Sequence, residues 1–168
     1  MKKFFRIDYK GTPRHVIEAA DGGPWRLLEG EIFGQYEAGD EVARDAHPLL
    51  CPVTPSKIVC IGLNYKDHAA EQGKPLPKDP LMFIKPSTSV IGPGGTILLP
   101  EGAGRVDHEA EVGVVIGTRA HHVREADAPS YVLASPASTT SRRGSSSRRA
   151  CSTPMRRGST RSRRSARA

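Results

Sequence analysis

The sequence predicts a mainly β protein with some α, and three observations carry that prediction. Apolar residues come in short, β-branched runs such as Lys57–Gly62 and Val112–Gly117, each closed by glycine. One stretch, around His68, has functional residues at helical spacing. Residues 134–168 contain ten arginines and ten serines but no Asp, Glu, Leu, Ile, Val, Phe, Tyr or Trp. That composition offers nothing for a core and predicts a disordered cationic tail.

The first 54 residues read as a small β-rich N-terminal domain and linker. Strands are expected at Phe4–Tyr9, His15–Glu18 and Trp25–Phe33, with a turn at Asp21-Gly22-Gly23-Pro24 between the last two. Trp25 and Phe33 are expected in its core. Pro48, Pro52 and Pro55 mark the passage into a second part, residues 55–133. Its strands are expected at Lys57–Gly62 and Glu109–Gly117, separated by turns at Gly92-Pro93-Gly94-Gly95 and Gly102-Ala103-Gly104.

Chemistry concentrates where Asp107-His108-Glu109-Ala110-Glu111 runs into the apolar Val112–Gly117 segment, which reads as a buried strand. Side chains alternate along a strand, so Glu109 and Glu111 share a face, about 7 Å apart. Two such carboxylates repel unless a cation lies between them, and a hard divalent ion, Mg²⁺ or Mn²⁺, suits oxygen ligands. The alternative is a solvent-facing edge with both groups hydrated. Asp107 has the same parity and either adds a third carboxylate or holds the preceding loop. On a helix, His68 and Glu71 are neighbours three residues apart. A carboxylate beside an imidazole can orient it as a general base, or the two can form an exposed pair of no consequence. Lys85, at the end of Phe83-Ile84-Lys85-Pro86, is either an anion anchor for substrate or a solvated strand end.

Three ordered segments, KIVCIGLNYKDHAAE, PLMFIKPSTSVIGPGGTILLP and VDHEAEVGVVIG, together resemble the fumarylacetoacetate hydrolase family. The resemblance spans Lys57 to Gly117 and continues more weakly to Leu133. It implies a mixed β-roll, here partial, in a homodimer whose persistence in this chain is doubtful. It also implies metal-dependent action on 2-oxo or 1,3-dioxo acids: C–C hydrolysis, decarboxylation or 2-hydroxyhepta-2,4-diene-1,7-dioate isomerisation. By that resemblance Glu109 and Glu111 match two of three metal-binding carboxylates, and His68 with Glu71 matches a water-activating dyad on a mobile lid. The third ligand, an aspartate about thirty residues after Glu111, is missing; Thr140 stands there. The implied Mg²⁺ or Mn²⁺ site is therefore incomplete, and weak metal binding with negligible turnover is expected. The N-terminal domain leans towards the branch of the family that serves aromatic-acid catabolism.

The Arg/Ser stretch resembles that family's coding sequence read one base out of register. Joining the third base of each codon to the first two of the next lets Ala134–Ser141 encode Phe-Thr-Cys-Val-Asn-Asp-Val. The same offset lets Ser141–Ser147 encode Thr-Ala-Arg-Glu-Leu-Gln, and Met155–Ser162 encode Ala-Lys-Gly-Phe-Asp-Thr-Phe. The missing aspartate would lie across Thr139 and Thr140. The stretch also carries the basic charge: the whole chain is +7, while residues 1–133 without those ten arginines are −3. Taken at face value, it would bind nucleic acid non-specifically through phosphates, with no aromatic platform for bases.

Cys51, Cys60 and Cys151 have neither metal nor disulfide spacing, and Cys60 is expected as buried packing. No segment has the length of a membrane span or the apolar core of a signal peptide, so a cytoplasmic protein without membrane contact is expected.

Overall fold

The computed structural model describes residues 2–143, 146–150 and 155–156, with backbone pairing alone from residue 136 onward. Strands β1 (Lys3–Tyr9), β2 (Thr12–Glu18), β3 (Trp25–Gly30) and β4 (Tyr36–Val42) form an antiparallel meander. Tyr9 pairs with Thr12, which leaves Lys10 and Gly11 as a two-residue turn, both at positive φ (53° and 82°). Such a turn matches the right-handed twist of the flanking strands.

The third strand is shorter than the sequence suggests. Gly30 has φ +102°, and a Cβ there would collide with the carbonyl of Gln35. The chain therefore turns at Gly30, β4 returns from it, and Phe33 lies on the turn, 52% exposed rather than in the core. Trp25 is buried as expected.

Both faces of the meander are apolar. On one, Phe5, Ile7, Val16, Trp25 and Leu27 pack together. On the other, Phe4, Ile17, Leu28 and Ile32 pack with Leu133 and Ala134. Burying a side chain the size of Phe4 contributes about 2–3 kcal/mol. Glu18 is buried among them with every requirement met. It accepts hydrogen bonds from Gly22 N (3.0 Å) and Trp25 Nε1 (3.1 Å) and pairs with Lys3 (3.2 Å) and Arg44 (2.7 Å). Burial alone would raise its pKa, but these partners outweigh it and hold the carboxyl below its ordinary value.

After β5 (Leu49–Leu50), which pairs with β1, come β6 (Lys57–Gly62), helix α1 (Lys66–Glu71) and β7 (Leu81–Pro86). Among the described residues, β6 and β7 pair only with each other, as a separate two-stranded sheet. β8 (Val106–Val112) and β9 (Val115–Ile116) follow, then β10 (Val132–Arg143), β11 (Ser146–Ala150) and β12 (Met155–Arg156). β10 is the spine of the larger sheet, pairing with β8, β9, β11 and β12, while β12 bridges it to β1. Gly117 makes room for this: a Cβ there would meet Leu133 at 2.7 Å, and its N–H donates to Tyr131 O.

One further expectation is corrected. The segment Glu109–Gly117 is two strands, broken at Gly113-Val114, and its apolar end is not buried: Val112, Val114 and Ile116 are exposed. At the start of the Arg/Ser stretch, β10 continues to Arg143 and β11 pairs back on it. A strand ladder is satisfied by backbone N–H and C=O groups, and Thr suits it, so poor core-forming composition does not prevent pairing. The remaining tail residues, Cys151 among them, lie outside the described residues. Among the described residues, no helix is long and apolar enough to cross a membrane.

Candidate active site

Helix α1 is short and positions His68 by a tight junction. Leu63, directly after β6, adopts φ 47°, a left-handed conformation costly for a branched side chain. It reverses the chain so that α1 leaves the sheet and Ala69 packs inward. His68 is then half-buried and Glu71 exposed, with His68 Nε2 2.5 Å from the Gln72 side-chain amide. Gln72, at i+4, is thus one partner of the imidazole.

Opposite this helix runs the start of β8. Glu109 and Glu111 are half-buried while Ala110 and Val112 are exposed, so the two carboxylates share the inward face as their spacing predicts. An open cleft of about 640 Å³ is lined by His68, Glu71 and Gln72 from one wall and Arg105, Asp107, His108 and Glu109 from the other. Asp107 accepts a hydrogen bond from Arg105 Nε at 2.8 Å. This contact and the Asp107 charge push the Arg105 pKa further up, so its cation is permanent.

The structure therefore brings together His68, Glu71 and Glu109, residues about forty positions apart in sequence. Glu111 lies farther along β8, outside the cleft lining. Lys85 is also outside it: it is buried on β7, its ammonium 5.8 Å from the Phe83 ring centroid. Thr140 is the register partner of Glu109 across the β8–β10 ladder, and Ser138 that of Glu111. Directly opposed residues in an antiparallel pair have Cβ atoms about 5 Å apart. The position that the sequence assigns to a missing aspartate is thus the position paired with Glu109. As the chain stands, no group of three His, Cys, Asp or Glu side chains is gathered as a metal site among the described residues.

Sequence reasoning passed over Arg105, His108 and Gln72. Gln72 was findable, four residues after His68 on one helix face. Arg105 shares the parity of Asp107 and Glu109. Nothing in the sequence marked His108 as a cleft residue.

A mainly β chain with a helix-borne histidine and carboxylate facing a strand-borne carboxylate defines an acid–base cleft. Comparison with known proteins gives the cleft its family. Residues 57–149, more than half of the chain, match the model of the fumarylacetoacetate (FAA) hydrolase C-terminal domain, and the chain belongs to that family. An uncharacterised protein of Archaeoglobus fulgidus is 46% identical over 112 residues, covering 64% of this chain and 45% of that protein. The mitochondrial oxaloacetate tautomerase of Xenopus laevis is 44% identical over 152 residues, 77% of this chain and 48% of its own length. Among solved structures, 2-hydroxyhepta-2,4-diene-1,7-dioate isomerase from Mycobacterium marinum superposes with TM-score 0.73 at 28% identity, covering 85% of this chain and 55% of the other. The chain spans about half the length of the relatives it matches.

Proposed function

We propose that the cleft serves proton transfer on 2-oxo or 1,3-dioxo acids, and that Thr140 in place of an aspartate leaves it with little turnover. The observation that carries this reading is the meeting of His68 and Glu71 with Glu109 across one cleft. Hydrolysis, decarboxylation and isomerisation in this family all pass through an enol or enolate. Keto–enol exchange asks least of the protein: one base that takes a proton from the carbon beside the oxo group and returns it to oxygen. His68 is that base, since imidazole both accepts and donates near neutral pH. Gln72 holds the ring, and Glu71, one turn along α1, stands on the same wall of the cleft. The relatives named as a tautomerase and a dienedioate isomerase support this class of reaction.

A divalent ion, Mg²⁺ or Mn²⁺, would supply Lewis-acid stabilisation of the developing enolate oxygen. Glu109 and Glu111 are two oxygen donors for it, but they do not complete a site among the described residues, so no step is assigned to the ion. In this reading the Arg/Ser stretch is the family's continuation displaced by one base, and the protein works in a reducing cytoplasm, which suits the buried thiol of Cys60.

Two experiments test the reading. Thr140→Asp places a third carboxylate at the register partner of Glu109. Mn²⁺ binding by titration calorimetry is expected to tighten at least about tenfold, and enol–keto exchange of oxaloacetate, followed by ultraviolet absorbance, to rise with it. Adding one base before codon 134, which turns Ala134 into Gly, is expected to raise activity and solubility further. His68→Ala should abolish the activity gained. Tight Mn²⁺ binding by the unaltered chain would overturn the reading of an incomplete site, and a repaired chain that folds but is indifferent to chelator would overturn the assignment of Glu109 and Glu111.

A further inference from the structure

The cleft has a charge problem if its ligand is an acid. Its walls carry three carboxylates, Glu71, Asp107 and Glu109, and among the described lining residues Arg105 is the one permanent cation. A doubly negative ligand approaching such walls is repelled unless a fixed positive group meets it. We propose that Arg105 is a specificity-determining residue that anchors the second carboxylate of a dicarboxylic substrate; this rests on the 2-oxo acid reading above.

The geometry favours that role. Asp107 takes the Nε of the guanidinium at 2.8 Å; the Nη1–Nη2 edge is a fork that can meet a carboxylate with two parallel hydrogen bonds. Four residues of near-extended chain separate Arg105 from Glu109, roughly 13 Å between Cα atoms at strand rise. Even after the reach of the arginine side chain, that separates two ends of a molecule rather than two oxygens of one carboxylate. A 2-oxo monoacid held near His68 and Glu109 therefore gains little from Arg105, whereas a 2-oxo diacid gains a charge-assisted pair. The Arg105 side chain is 86% exposed, so its pair with Asp107 contributes little to the fold, and variants there should fold as the parent does.

The test titrates the full chain, unaltered and carrying Thr140→Asp, with oxaloacetate and with pyruvate, reading imidazole resonances by NMR. The expected result is tighter binding of oxaloacetate by about tenfold, the worth of one charge-assisted bond. Arg105→Gln should reduce that preference to near unity with pyruvate affinity unchanged, and Arg105→Lys should restore part of it. Equal losses for both acids would show a general electrostatic effect and overturn the proposal, as would an unchanged preference or no binding of either acid. Oxaloacetate turnover on the same samples keeps the two readings apart. An Arg105-dependent preference without turnover leaves the anchor standing and refutes the reaction, whereas turnover with no Arg105-dependent preference does the reverse.

Discussion

The N-terminal meander and the cleft-bearing segment are both built from short β-branched strands, yet one is closed on itself and the other is open. In β1–β4 both apolar faces are covered, one by the meander itself and the other by Leu133 and Ala134, and the buried carboxylate of Glu18 has four partners. In β6 and β7, Val59, Ile61, Leu81, Met82, Phe83 and Ile84 are all exposed. Four successive apolar residues, Leu81–Ile84, are the pattern of a strand covered on both faces, but on β7 only Lys85 is buried. An exposed apolar area of this kind marks a surface meant to be covered. The difference teaches that the site's residues are placed by local geometry, a reversal at Leu63 and a ladder between β8 and β10, while stability resides in the meander.

The sharpest way to break this comparison is to make the same truncation in both regions. Phe4→Ala should cost about 4 kcal/mol in denaturant unfolding, whereas Phe83→Ala, at a half-open position, should cost about 1 kcal/mol or less. Comparable losses would show that β7 is as well packed as β1.

Glu18→Gln comes next, at about 3 kcal/mol, because it strands two cations around a buried amide. Its sign in pH follows from the lowered folded pKa. The carboxylate's stabilisation is complete above the unfolded value, near 4.5, and is lost as pH falls through the folded value. Unfolding followed from pH 7 to pH 3 should therefore show a steep acid limb in the parent and a flatter one in Glu18→Gln.

Leu63→Gly should stabilise by about 1 kcal/mol by relieving the left-handed backbone. The smallest effect on stability is expected from Met82→Lys with Ile84→Lys, within about 0.5 kcal/mol. That pair should instead reduce self-association in analytical ultracentrifugation, and a large loss of stability would mean the face is covered after all.

The sequence made the mainly β class and the pairing of Glu109 with Glu111 legible because strand alternation is a local rule. It also made His68 and Glu71 legible, since both sit on one short helix. It did not reveal that β3 ends at Gly30, because the collision that forbids anything larger involves Gln35 on the returning chain. It predicted burial for Val112–Gly117 from apolarity, but strand alternation leaves Val112, Val114 and Ile116 exposed while Val115 packs against the core. Arg105 stayed hidden because a lone arginine before a strand looks like any other solvated charge until the opposite wall of its cleft is in place.

The position of β10 also bears on the order in which the chain acquires its shape. Every pairing within β1–β4 joins residues near in sequence, whereas β12 meets β1 across most of the chain's length. Local pairings form fast, and distant ones wait for the entropy of closing long loops to be met. As the chain leaves the ribosome, the meander can assemble before the arginine-rich segment has been made. One of its apolar faces then stays wet until Leu133 and Ala134 arrive. The strand that those two residues open therefore docks onto a half that is already folded.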